Sequence, residues 1–194
     1  MGQLAFFSAE SVPPAVSDLA GLLAGTGHAV RTRDGARISV VVGERWRAEA
    51  LAAFIEETGV RTRVADTDEG RRLVRTDADV VLAPLVEDWT KGAVKHVPDG
   101  WTPNARELRM WALASGRGEC DGERFVLGLD PHAPETHAPL ALSLMRAGIA
   151  PTLIGTRGVS PGLRISGRRR LARLGENIGD PPPGAGVDLG WPRT

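Results

Sequence analysis

The sequence predicts a mixed α/β (α+β) fold made of two pseudo-symmetric αββαββα-type repeats. Three observations carry this expectation. Helix-period and strand-period segments follow the order helix, strands, helix, strands, helix, and that order then recurs. The halves also align residue on residue. Leu51 lies over Leu140, Ala52 over Ala141, Gly59 over Gly148 and Val60 over Ile149 at an offset of 89, while Leu73, Thr76 and Val81 lie over Leu163, Ser166 and Leu171 at 90. A repeat of about 90 residues is too long for a solenoid unit and reads as an internal pseudo-dimer.

The elements follow from local patterns. Residues 14–25 read as a helix, with Val16, Leu19, Ala20, Leu22 and Leu23 at helical spacing. Residues 28–42 read as a hairpin turning at Asp34-Gly35, because such turns need positive φ. An amphipathic helix over 45–58 stops at Gly59. Strands at 60–65 and 71–76 flank an Asp68-Glu69-Gly70 turn, and a short helix over 79–91 takes Pro84 in its first turn or at a kink. After a Gly/Pro-rich linker (92–104) come a helix (104–118), a strand (124–129), a helix (138–147), strands (150–155 and 162–166) and a helix (168–178). Residues 1–103 then form the first repeat with its linker and 104–179 a shortened second one. The Pro/Gly-rich tail, 180–194, reads as extended or disordered.

Bulk properties narrow the function. The chain has 194 residues and zero formal net charge, so a nucleic-acid partner requires positive charge gathered on one face. Nearly all basic residues are Arg, Lys91 and Lys95 being the only lysines; the accompanying Ala, Gly and Pro content fits a GC-rich coding bias. The single Cys120 excludes an internal disulfide and a Cys-rich zinc site, and fits a reducing compartment. No apolar run approaches the ~20 residues of a membrane span, and no signal-peptide pattern opens the chain. The expected location is the cytoplasm.

Residues 19–27, LAGLLAGTG, resemble the LAGLIDADG helix of homing endonucleases and intein nucleases, matching at Leu19, Ala20, Gly21, Leu22 and Gly27. In the second half, residues 114–122, ASGRGECDG, match at Gly116, Asp121 and Gly122, with Glu119 where the family's first Asp falls. The connection KHVPDGWTPNARELRMWALASG and the closing LRISGRRRLARLGENIG are also similar to that family, so the resemblance covers roughly 14–180. It implies a saddle-shaped fold whose strands lie in the DNA major groove. Small residues (Ala20, Gly21 and Gly25 against Ala114, Ser115, Gly116 and Gly118) would let two motif helices pack closely. Carboxylates at the two helix ends would then share divalent metal, Mg²⁺ by preference, and activate water for phosphodiester hydrolysis.

Two departures qualify that expectation. The active-site Asp position holds Asp121 in the second motif but Thr26 in the first, so cleavage should be weak, single-strand or absent. Asp121, with Glu119 beside it, is the candidate catalytic and metal ligand; a turn Asp and a solvated Glu are the plainer readings. Anchored on these motifs the offset is 95 and then falls to 89, which implies six residues missing from the second reading hairpin. Candidate nucleic-acid contacts are Arg31, Arg33, Arg37, Arg61, Arg63, Arg75 and Arg164, partly at the alternate spacing that shares one sheet face. Asp66, Asp68 and Glu69 at a hairpin tip would repel phosphate. His132 and His137 frame a Pro-rich loop without a third ligand nearby. Arg168, Arg169, Arg170 and Arg173 read as a solvated helix face or as phosphate contacts. The expected function is double-stranded DNA binding with or without attenuated metal-dependent endonuclease activity; RNA is the alternative nucleic acid. A non-cleaving regulator on the same scaffold and a protein-interaction module are the competing readings. An internal pseudo-dimer needs no partner, so a monomer is expected.

Overall fold

The computed structural model describes residues 8–156, 158–185 and 190–192. Two four-stranded antiparallel sheets share one strand order. The first is β1(His28–Thr32), β2(Gly35–Val42), β4(Arg72–Thr76), β3(Thr62–Asp66); the second is β7(Gly116–Glu119), β8(Arg124–Gly128), β10(Gly162–Ser166), β9(Thr152–Ile154). Helices α2(Arg45–Glu56) and α5(His137–Arg146) lie at the same place in each half, between the second and third strands of each sheet. The closing helices are α3(Ala83–Asp88) and α6(Arg168–Ile178). A two-stranded hairpin, β5(Thr90–Lys91) and β6(Val94–Lys95), lies in the segment read as linker.

Alternation sets the faces of each sheet. In the first, Ile38, Val40, Val42 and Val74 are buried; in the second, Phe125, Leu127, Leu163 and Ile165 are. These residues join Leu19, Leu22, Leu23, Leu51, Leu108 and Trp111 in one core. At its centre helix α1(Ala20–Ala24) crosses α4(Ala105–Ser115). A Cβ at Gly21 would lie 2.1 Å from the Glu107 carbonyl oxygen and one at Gly25 2.7 Å from Ser115 Oγ, so both glycines are needed for the approach. α4 starts in a full capping box: Glu107 N–H donates to Asn104 Oδ1 at 2.9 Å, and Asn104 N–H donates to Glu107 Oε2 at 2.7 Å.

Several boundaries differ from expectation. The first helix is shorter: a 3₁₀ turn at Val16–Leu19 leads into five α-helical residues, and the Asp18 carboxylate accepts the Ala15 N–H at 3.1 Å. The hairpin turn is Arg33-Asp34, since Thr32 pairs with Gly35 and Gly35 (φ 118°) opens β2. α2 stops before Gly59, whose φ is 84°, as the sequence indicates. α4 ends at Ser115 rather than 118, because Gly116 turns extended and pairs with Leu127. Nor is the described tail loose. Trp191 is buried, and its indole N–H donates to the Gly179 carbonyl at 3.0 Å.

The corrected helix end realigns the halves. Leu19 to Gly27 lie over Leu108 to Gly116 at an offset of 89, the same value as between Leu51 and Leu140. Within the sheets the core pair Val40–Val74 corresponds to the core pair Leu127–Leu163, placing Val40 over Leu127 at an offset of 87. The second hairpin is therefore two residues shorter than the first, not six.

Candidate nucleic-acid interface

The helix junction lies at Thr26 and Ser115. These residues follow the last turn of α1 and close α4, and they line one open cleft with His28, Val41, Glu44, Arg47, Arg71, Arg117 and His132. The Asp121 backbone lies instead in the β7–β8 loop, in a 3₁₀ turn over Cys120–Gly122 beyond Glu119. Of the motif residues, Leu19, Ala20 and Gly21 pack into the core and Ala114 lines the junction, whereas Gly116 begins β7 and Gly122 lies in the loop with Asp121. Glu119 accepts from Arg164 Nε at 2.9 Å and lies 3.9 Å from Arg117 Nε. It belongs to an arginine cluster on the sheet, away from the place of a metal ligand at the helix ends.

Two cations occupy the helix ends, and the sequence reading missed both. Lys95 Nζ donates to the Gly25 carbonyl at the C-cap of α1 at 2.9 Å and pairs with Asp130 Oδ2 at 2.9 Å. Arg47 donates to the carbonyls of Ala112 at 2.9 Å, Leu113 at 3.1 Å and Gly116 at 2.6 Å, at the end of α4. Its Nε pairs with Glu44 at 3.0 Å. A helix C-terminus carries about half a negative charge, so each cation sits where the backbone field favours it. Burial pushes the Lys95 ammonium below its usual range against the pull of Asp130. For Asp130, burial acts upward, but the hydrogen bond and charge of Lys95, with the His132 N–H at 2.9 Å, hold the carboxyl below its usual range. Arg47 is likewise lowered by burial, against the upward influence of Glu44. Being an arginine, it stays charged.

This donor set does not fit a divalent metal. Two hydroxyls replace the paired carboxylates, and the nearby Glu44 and Asp130 are each bound to a capping cation. Among the described residues no group of three or more His, Cys, Asp or Glu side chains is arranged to hold a metal ion.

The outward faces of the sheets have a different character. Cross-strand register places Arg37, Ser39, Arg75 and Arg63 on the face opposite the core, together with His28, Val30, Val41 and Leu73. On the second sheet it places Arg117, Arg124 and Arg164 there. Among the described residues Glu119 is the only acidic strand residue on either outward face, since Asp66 pairs with Arg72, itself paired with Val42, on the core-side register. Of the predicted contacts, Arg37, Arg63, Arg75 and Arg164 thus share the outward faces. Arg31 pairs with buried Ala36 on the opposite register, Arg33 lies in the turn and Arg61 precedes β3. Acidic residues gather on helices: Glu49 and Glu56 on α2, and Glu87 and Asp88 on α3.

No family model matches the chain, and no curated protein does. Solved structures do. The homing endonuclease I-WcaI bound to its DNA recognition sequence is similar over 89% of this chain and 84% of its own, at 10% identity and TM-score 0.61. Full-length WhiA from Thermatoga maritima is similar over 86% of this chain and 55% of its own, at 16% identity and TM-score 0.62. I-DmoI in complex with DNA and Ca is similar over 87% of this chain and 95% of its own, at 14% identity and TM-score 0.54; I-DmoI has also been solved with Mn and with Mg. The fold is that of the LAGLIDADG homing endonucleases. Within it, this chain is a two-repeat form whose helix ends carry hydroxyls and capping cations.

Proposed function

We propose that this chain is a double-stranded DNA-binding protein that holds duplex on the outward faces of its sheets and does not cut it. The observation that carries this reading is charge segregation: six strand arginines against one strand carboxylate on those faces, in a chain of zero net charge. Strands of this kind can send side chains to base edges while others hold phosphate. The DNA complexes of I-WcaI and I-DmoI support the same use of the scaffold. The non-cleaving part rests on Thr26, Ser115 and the two capping cations, which leave no place for a hydrolytic Mg²⁺. A regulatory role in the cytoplasm is the biological form of this proposal.

The test is binding of the purified chain to a random duplex pool across a salt series, with Mg²⁺ or with EDTA. Binding should be unaffected by EDTA, yield no nicked strand, and fall about 10³-fold between 50 and 200 mM salt for some six phosphate contacts. Nicked product that disappears in Asp121→Asn would restore the nuclease reading. Tighter binding to RNA would move the partner to that polymer. Absence of binding at 50 mM salt would leave the protein-interaction reading.

A further inference from the structure

The two outward faces differ in what they leave free. On the first sheet Arg63 pairs with Asp77 at 2.9 Å, while Arg37 and Arg75 are in no ion pair among the described residues; Arg37 Nε is buried without a partner. Ser39 pairs in register with both His28 and Arg75, and Arg37 with Val30, so these groups form a contiguous block. Val30 is 57% exposed, and Val41 and Leu73 are half-buried on the same face. Free guanidinium and hydroxyl groups interleaved with methyls are the chemistry that reads guanine edges and thymine methyls in a major groove.

On the second sheet the corresponding groups are tied or missing. Glu119 holds Arg164 at 2.9 Å and stands 3.9 Å from Arg117. Val126, between them in register, is fully buried, and Gly128 and Gly162 bear no side chain. The hairpin is two residues shorter. The free cations of this half lie at one end of the face and beyond it: Arg124 at the start of β8, in register with Ser166, and exposed Arg168, Arg169 and Arg170 in the first turn of α6. Three cations there oppose the helix dipole, an arrangement relieved by an anion against them. The equivalent segment of the first half carries Asp79, Glu87 and Asp88 and no arginine.

Resting on the DNA-binding reading, we infer that sequence recognition is one-sided: the first sheet reads bases, and the second half grips phosphates through Arg124, Arg168, Arg169 and Arg170 without reading them. The duplex backbone, uniform in charge and spacing, is the ligand of that second half.

Selection of bound sequences from a random duplex library by the full chain tests this. The expected consensus is confined to one side of the pseudo-two-fold. Substituting Arg37→Ala with Arg75→Ala should flatten it, with about 10-fold or greater loss of discrimination per contacted position. The triple variant R168S/R169S/R170S should keep the consensus, weaken binding to every sequence and reduce the salt slope by about 2–3. A consensus of equal strength on both sides, a tightly bound pool without any consensus, or an unchanged slope in the triple variant would overturn the inference while DNA binding stands. A wild-type chain that binds no duplex at 50 mM salt would overturn both.

Discussion

Burying Lys95 and Asp130 together costs each ion its hydration, so the pair is tolerable only while both partners are present. Their side chains are 11% and 5% exposed. Removing the carboxylate in Asp130→Asn leaves an ammonium facing the end of α1 and should cost about 3–5 kcal/mol at pH 7. The pH dependence has a definite sign. The folded carboxyl titrates below its unfolded value of about 3.9, so the unfolded state binds more protons in that window. Stability from Asp130 is therefore fully present above about pH 4 and is lost as pH falls through the folded value. Urea melts from pH 2 to 7 should show this acid-side loss in the wild type and a smaller one in D130N. Equal melting of the two proteins at neutral pH would show that the pair contributes nothing to the fold.

Among the elements, the α1–α4 crossing bears most directly on the site. A methyl group at Gly21 would meet the Glu107 carbonyl at 2.1 Å, a backbone atom that cannot swing aside. Gly21→Ala should cost at least about 1–3 kcal/mol, read as a lower urea midpoint with unchanged slope. A wild-type midpoint would mean that the helices part without penalty. Both helices are readable in the sequence, but only the first as a motif helix, for a physical reason. Met110 stands on α4 where Gly21 stands on α1, so the small-residue signature exists on one helix only. The next small-residue run, Gly116 to Gly122, lies in a hairpin, and aligning on it displaced the site onto Glu119 and Asp121. Strand alternation was more informative. Register puts Arg37, Arg63, Arg75 and Arg164 on the outward faces, but alternation could not fix the register of Arg31 on a short edge strand. No local pattern marks Arg47, whose acceptors at the end of α4 lie 65 to 69 residues away.

At the scale of the molecule, a chain without net charge has sorted its charges: arginines on the sheet faces, and many of its acids on helices and at the β3–β4 tip, where Arg72 pairs with Asp66 and Arg71 with Glu69. With both sheets supplied by one chain, a 1:1 complex with duplex is expected. Sedimentation of the free protein should give a single species near 20.6 kDa, and titration should saturate at one protein per site. A dimer in either experiment would place the pseudo-two-fold argument in error. Among the described residues no helix is long and apolar enough to cross a membrane.

The capping cations are arranged crosswise. Arg47 comes from the first half and serves the helix of the second; it also holds the tail through the Gly190 carbonyl at 3.1 Å. Lys95 serves the helix of the first half, and its counter-ion Asp130 comes from the second. Two copies of the first half brought together as a symmetric pair would set Arg47 against a helix end already holding Lys95, with no Asp130 to balance them. The two halves are therefore not interchangeable: each helix end is capped by a cation whose place depends on a residue of the other half.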